Sequence, residues 1–94
     1  MNVDTEFHGP HIAEPDMPVR VNWFEPIARC QRVRVSRHTC ECLPVHFELC
    51  RAAGLGFVRR IIRRPGKTVV QETDWMRVPE AEQLWALLLK GRAV

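Results

Sequence analysis

The sequence lacks the features that mark membrane proteins and secreted proteins. An apolar run such as residues 84–89 is far shorter than the roughly 20 residues that span a bilayer. The first ten residues have neither a basic start nor an apolar segment, so they predict no secretory signal. We therefore expect a cytoplasmic protein without membrane contact. Its four cysteines are then expected as thiols or metal ligands, whereas two disulfides would require export by another route.

The motifs of the common enzyme classes are also missing. There is no glycine-rich phosphate loop, no catalytic pair of carboxylates and no nucleophile elbow, and the glycines of residues 54–56 fit a hairpin loop. A Cys–His pair could form a nucleophile. A chain of 94 residues, however, forms one domain with a thin core, which rarely encloses a deep pocket. We therefore predict that the protein is not an enzyme.

Lysine is scarce, and the charge is unevenly distributed. Arginine outnumbers lysine twelve to two, which reflects either GC-rich coding or selection for forked contacts to phosphate and carboxylate. Residues 1–28 carry a net charge of −4, residues 29–67 carry +8, and residues 68–94 carry −1. An acidic segment therefore precedes a basic one, and the basic one is expected to attract anionic partners.

The N-terminal residues differ in composition from the rest of the chain. Three prolines and a glycine within residues 1–18 predict a flexible acidic arm, and residues 19–94 are predicted to form a single α+β domain. The arm contains His8 and His11, which could bind a metal weakly. We favour the interpretation that both are solvated side chains.

Alternating apolar and polar residues predict strands joined by turns. The predicted strands cover residues 31–42, 45–51, 55–63 and 68–73. A helix follows, because Pro79 suits a first helical turn and Gly91 suits a helix end. The predicted fold class is α+β: a four-stranded antiparallel β-meander with one C-terminal helix packed on one face. The apolar face of that helix is wide, which indicates either full cover by the sheet or a homodimer contact.

The register of the strands depends on the turns between them. A three-residue loop at residues 53–55 would set Phe47 opposite Ile61 and Leu49 opposite Arg59. A two-residue Ala53–Gly54 turn would instead set Phe47 opposite Arg60 and Leu49 opposite Val58. We prefer the first register, because the second mixes apolar and charged residues on one face.

The other two turns complete the predicted sheet. A turn at residues 43–45 would set His38 opposite Cys50 and Cys40 opposite Glu48. The turn at Pro65–Gly66 would set Ile61 opposite Val70 and Arg59 opposite Glu72, and residues that oppose each other share a face.

With this register, one face of the sheet is predicted to be apolar and covered by the helix. Its members are Val33, Val35, Phe47, Leu49, Phe57, Ile61 and Val70. Arg59 also falls on this face and would need Glu72 as its partner, because an unpaired buried charge costs about 3–5 kcal/mol. The other face is predicted to be the working surface. Its members are Arg32, Arg34, His38, Cys40, Cys42, His46, Glu48, Cys50, Val58, Arg60, Ile62 and Val69.

Cysteine and histidine on the working surface suggest a metal site. The predicted ligands are His38, Cys40, Cys42 and Cys50, with His46 nearby. Three thiolates and one imidazole suit tetrahedral zinc. The spacing is unusual, because about two to four residues separate the cysteines of common zinc sites, whereas one separates Cys40 from Cys42. We therefore predict no cofactor, with small buried cysteines, and a structural zinc is the alternative.

The basic residues of the same face predict contacts to an anionic partner. The predicted binding residues are Arg32, Arg34, Arg60, Arg63 and Arg64. No helix-turn-helix pair or interleaved aromatic residues accompany them. We therefore predict a small non-enzymatic binding or regulatory module that acts through this basic face, and we prefer a protein partner to nucleic acid. The alternatives are a zinc-stabilised nucleic-acid-binding domain and a solvated face that only discourages aggregation.

Overall fold

The structure, a computed structural model, describes residues 9–26 and 32–94. Within them the chain forms five strands and one helix. The strands are β1 (Arg34–His38), β2 (Val45–Ala52), β3 (Leu55–Arg64), β4 (Lys67–Glu72) and β5 (Met76–Arg77), and the helix is α1 (Val78–Leu89). The sheet is antiparallel, with the order β1-β2-β3-β4 and with β5 paired to the start of β3. The predicted α+β meander with one C-terminal helix is confirmed, and β5 is an addition to it.

The β2–β3 register differs by one residue from the preferred prediction. Leu49 lies opposite Val58 and Phe47 lies opposite Arg60. The turn is the two-residue alternative, in which Ala53 and Gly54 have φ angles of 51° and 77°. Two successive positive φ angles match the twist of a tight hairpin. The preferred three-residue loop was wrong because it required one apolar face and one polar face, whereas both faces of this sheet bury apolar residues.

Of the other two predicted registers, one is confirmed and one is wrong. The β3–β4 prediction is confirmed, since Ile61 lies opposite Val70 and Arg59 opposite Glu72. The β1–β2 prediction is wrong, because His38 lies opposite Glu48 and not opposite Cys50. This pairing places Cys40 and Cys42 beyond the end of β1, in the loop that leads to β2.

The core has two parts, one on each face of the sheet. On the α1 face, Leu49 and Val58 pack with the helix residues. The buried helix and C-terminal residues of this cluster are Ala81, Trp85, Leu88 and Ala93. On the opposite face, Cys50 and Phe57 are buried together. The predicted division of faces is therefore corrected: Val58 lies under the helix, and Phe57 lies with Cys50 on the other side.

Glycine allows the helix to approach the sheet closely at the start of β3. A Cβ atom at Gly56 would lie 2.7 Å from the Cβ atom of Ala81. At the other end of α1, Gly91 has a φ of 71° and terminates the helix. Leu87 is exposed while Trp85 and Leu88 are buried, so the homodimer contact suggested for α1 stays a prediction. No helix in the described part of the chain is long and apolar enough to span a membrane.

Residues 9–26 run along the C-terminal end of α1 and then across to β4. The backbone N–H of Ala13 donates to the carbonyl of Leu89 at 2.9 Å, and Val19 donates to the carbonyl of Arg92 at 2.8 Å. Phe24 exchanges two backbone hydrogen bonds with Glu72. Residues 1–8 of the predicted arm, His8 among them, and residue 31 of the predicted first strand lie outside the described residues.

Candidate metal centre

The loop between β1 and β2 is fixed by backbone and hydroxyl hydrogen bonds. Thr39, which is buried, donates its backbone N–H to the carbonyl of Phe47 at 2.9 Å. Its Oγ1 accepts from the backbone N–H of Phe47, also at 2.9 Å. These two bonds extend the pairing of β1 and β2 past the end of β1. Cys40 follows immediately and is therefore placed by the sheet.

Arg63, near the end of β3, holds the other half of this loop. Its guanidinium donates to the carbonyl oxygens of Glu41 and Leu43. Its backbone N–H donates to the carbonyl of Pro44 at 2.7 Å. Arginine is suited to this role, since its rigid fork can satisfy two acceptors at once. The loop backbone on both sides of Cys42 is thereby tied to β3.

Two thiols and one imidazole meet at this loop. Cys40 Sγ and Cys42 Sγ are 2.7 Å apart, and Cys40 Sγ also accepts from the backbone N–H of Cys42 at 3.3 Å. His11 Nε2 lies 3.6 Å from Cys42 Sγ. The donor atoms of the three residues all lie within 4.8 Å of one another. We refer to His11, Cys40 and Cys42 as the HCC group.

Backbone contacts position His11. The carbonyl of the preceding residue, Pro10, accepts from the backbone N–H of Cys40 at 3.0 Å. Gly9 lies so close to β1 that an added Cβ atom would overlap the carbonyl of His38. The chain on the N-terminal side of His11 is therefore pressed against the strand that leads to the cysteines. His11 was predicted to be a solvated side chain; it is exposed, but its ring points at a thiol.

The HCC group fits the donor requirements of zinc. Zinc binds thiolate at about 2.3 Å and imidazole at about 2.0–2.1 Å, which places tetrahedral donors about 3.6–3.8 Å apart. The separation of His11 and Cys42 already has this value, and the two sulfur atoms must move apart by about 1 Å. Thiolate and imidazole are both donors that suit zinc. Among the described residues, the group supplies three of four tetrahedral positions.

The surroundings of Cys42 favour the protonated form of its thiol. The pKa of the Cys42 thiol is raised, first by its side-chain hydrogen bond with Cys40 and then by desolvation. The backbone N–H of Cys42 and the charge of Arg63 act in the opposite direction. Metal binding at Cys42 must therefore displace the proton of that thiol. Cys40 is buried and Cys42 is exposed, so an ion would reach the group from the Cys42 side.

The structure brings together two of the four predicted ligands. His38 is exposed, and its Nδ1 faces the carbonyl of Thr39 at 3.0 Å. Cys50 is fully buried on β2 beside Phe57, where burial raises the pKa of its thiol to about 11. His46 is buried as well, and its Nδ1 has no hydrogen-bond partner among the described residues. The HCC group contains His11 instead, which is 31 residues from Cys42, so local spacing gave no signal for it.

The predicted basic residues do not share one surface. Arg60 lies over the ring of Trp23 at 4.4 Å and donates to Gln71, and desolvation lowers its pKa. Arg63 holds the loop, and Arg64 lies at the β3–β4 turn, opposite Lys67. Arg63 and Arg64 are at the far end of the long strand β3 from the Ala53–Gly54 turn, and Arg60 lies near the middle of that strand.

Arg32 and Arg34 lie near the Ala53–Gly54 turn. Together with Arg51 they line a concavity of about 300 Å³, and we refer to these three residues as the arginine cluster. Arg51 forms a salt bridge of 3.0 Å with Glu82 of α1. Arg32 and Arg34 have no carboxylate partner within the described ranges. This end of the sheet therefore carries unbalanced positive charge.

Arg59 is neutralised within the sheet. It was predicted to pair with Glu72, which is its Cα partner on β4. Its guanidinium instead forms a salt bridge of 3.1 Å with Glu48 on β2. Glu72 accepts from Trp75 Nε1 at 3.3 Å. The charge of Arg59 is therefore balanced within the sheet by Glu48.

An apolar pocket of about 400 Å³ adjoins the HCC group. Residues 10–15 form one wall, and the β1–β2 loop with the first residues of β2 forms the other. His11 and Cys40 belong to both the pocket wall and the HCC group. No lysine or arginine from residues 9–26 and 32–94 lines the pocket.

No protein-family model, curated protein or solved structure matches this chain.

Proposed function

We propose that this protein is a small non-enzymatic zinc-binding module in which the metal fastens the N-terminal segment to the sheet. The observation that carries this proposal is the HCC group, in which donor atoms from two distant parts of the chain lie within 4.8 Å. A bond from zinc to His11 and to the cysteines closes a loop of about 30 residues. Because the group forms only in the folded chain, the metal-binding free energy adds to the free energy of folding.

Thiolate ligands also bear on the cellular location. Exposed thiols such as that of Cys42 stay reduced in a cytoplasm and become oxidised in secretory compartments. A cytoplasmic location is therefore part of the proposal.

The test is a zinc competition titration against a chromophoric chelator, under a phosphine reductant. Replacing a ligand removes a metal bond, so we expect His11→Ala to weaken zinc binding at least tenfold and Cys42→Ser to weaken it further. His38→Ala is the matched control, because His38 is an exposed histidine two residues from Cys40 that lies outside the HCC group. The zinc affinity of the His38→Ala variant should equal that of the wild type. Weakening by His38→Ala with no effect of His11→Ala would overturn the proposed ligand set.

The arginine cluster supports a second function, the binding of an acidic segment of a protein partner. Arg34 and Arg51 are directly opposed across β1 and β2, and opposed like charges destabilise a sheet. A carboxylate bound between them would relieve this repulsion through forked hydrogen bonds. Within the described residues, Glu82 already pairs with Arg51, whereas Arg34 has no carboxylate partner. This function uses a surface distinct from the HCC group, and one molecule can perform both.

Titrations with a glutamate-rich peptide and with a DNA duplex, each at two salt concentrations, test the second function. We expect Arg34→Ala to abolish most of the peptide binding, with Arg64→Ala as the control at the far end of the sheet. Tighter binding of DNA that strengthens steeply as salt falls would favour the nucleic-acid alternative. No binding of either ligand at low salt would remove this function.

A further inference from the structure

The apolar pocket and the HCC group share two residues, His11 and Cys40. An ion held by the group therefore lies at the pocket wall. The described residues supply three donors, which leaves the fourth position of a tetrahedral ion without a donor among them. The pocket volume of about 400 Å³ lies within the range of small-molecule sites, roughly 300–1,000 Å³.

The lining determines what kind of molecule fits. Its apolar side chains come from the N-terminal segment, the loop and β2, and they include Ile12, Pro15, Leu43, Val45 and Phe47. Glu14 is the acidic residue of the wall, and no lysine or arginine lines the pocket among the described residues. Within that part of the chain, a free anion would find no cation in the pocket other than the metal itself. The ligand must therefore combine an apolar body with a single group that binds the metal.

The donor set determines the metal-binding group. An ion that already has two sulfur ligands is well matched by a further soft donor, and a thiol is the softest common one. We propose that this protein binds a small apolar thiol, with the sulfur on the zinc of the HCC group and the apolar body in the adjoining pocket. This inference rests on the proposed zinc-binding function and names the ligand of that same site.

The experiment uses the full chain loaded with cobalt(II), whose visible spectrum reports each change in the ligand shell. Two probes carry the same thiol group: 2-phenylethanethiol, which has an apolar body, and 2-mercaptoethanol, which has a polar one. We expect the spectrum to shift with both, and the apparent affinity for 2-phenylethanethiol to be at least about tenfold higher, because its ring is buried in the pocket. The alcohol 2-phenylethanol should leave the spectrum unchanged.

Variants of two exposed leucines locate the binding. Leu43 lines the pocket, whereas Leu55 is similarly exposed at the other end of the sheet. Leu43→Gln should reduce the affinity for 2-phenylethanethiol about threefold or more and leave that for 2-mercaptoethanol unchanged, since a polar side chain replaces part of the apolar wall. Leu55→Gln should behave as the wild type.

Two outcomes overturn the inference while leaving the proposed function intact. One is equal affinity for the two thiols on cobalt-loaded protein. The other is release of cobalt from the protein by the thiols, measured as metal content after gel filtration. Failure of the wild-type protein to bind cobalt or zinc at all overturns the proposed function itself, so the two failures are distinguishable.

Discussion

The Nε2 atom of His11 lies 3.6 Å from the Sγ atom of Cys42, although 31 residues separate them in the chain. This contact joins the N-terminal segment to the β1–β2 loop. It turns two cysteines with an unusual spacing into part of a three-donor group. The predictions below follow from that group and from the elements that position it.

Zinc is expected to stabilise the folded protein. Because the HCC group exists only in the folded chain, zinc at about 100 times its Kd should raise the free energy of unfolding by about 2.7 kcal/mol. Thermal unfolding with and without zinc measures this change. The Cys42→Ser variant should gain little stability from zinc. An equal gain in both proteins would mean that zinc acts at another place.

Arg63 is expected to support the metal site without binding the metal. Its guanidinium fixes the carbonyls of Glu41 and Leu43, so Arg63→Ala should free the loop and cost about 1 kcal/mol of stability. Zinc affinity should fall by a factor of about 5 to 10, because the thiols must then be ordered on binding. Arg64→Ala, one residue further along, is the matched control. Equal zinc affinities for the two variants would contradict this role.

The two-residue turn predicts a stabilising substitution. Ala53 has a φ of 51°, a conformation that costs most L-residues roughly 1 kcal/mol but that asparagine tolerates. Ala53→Asn creates the Asn-Gly sequence favoured in such turns and should raise stability by about 0.5–1 kcal/mol. Chemical denaturation provides the measurement. A loss of stability would argue for the three-residue loop and for the register that accompanies it.

Cys50 is expected to make stability depend on alkaline pH. Burial raises the pKa of its thiol from 9.0 to about 11, so the folded state keeps the proton longer than the unfolded state does. The contribution of Cys50 is fully present below pH 9 and is lost as the pH rises toward 11, a total of about 2–3 kcal/mol. Denaturation of the wild type and of Cys50→Ala at several pH values isolates the contribution of Cys50 to the free energy of unfolding. The two proteins should differ in the slope of their unfolding free energy against pH only above about pH 9. Parallel curves would show that Cys50 titrates normally.

Local patterns were sufficient to predict most of the secondary structure. The alternation of residues 45–51 and 55–63 predicted β2 and β3 to within one residue at each end, and Pro79 and Gly91 marked the limits of α1. The Pro65–Gly66 turn predicted the β3–β4 register correctly, because a proline followed by a glycine fits a tight two-residue hairpin turn. The short strand β5 carried no alternation and was missed.

Long-range contacts account for what the sequence did not reveal. The β2–β3 register was misjudged because the apolar residues of both strands were assigned to one face, whereas the sheet has a core cluster on each face. His11 was missed because its position depends on backbone hydrogen bonds of residues 10–19 to Cys40 and to the C-terminal end of α1. Cys50 was wrongly expected near Cys40, since that expectation followed from the incorrect β1–β2 register.

The X-ray absorption spectrum of the zinc-loaded protein tests the central claim most directly. Zinc–sulfur and zinc–nitrogen bonds differ by about 0.2–0.3 Å, so the spectrum counts the two kinds of ligand. The HCC group predicts two sulfur ligands, one imidazole nitrogen and one further light atom. Loss of the imidazole signal in His11→Ala, and its retention in His38→Ala, would identify the histidine. A shell of three or four sulfur atoms, or one without imidazole, would contradict the proposed site.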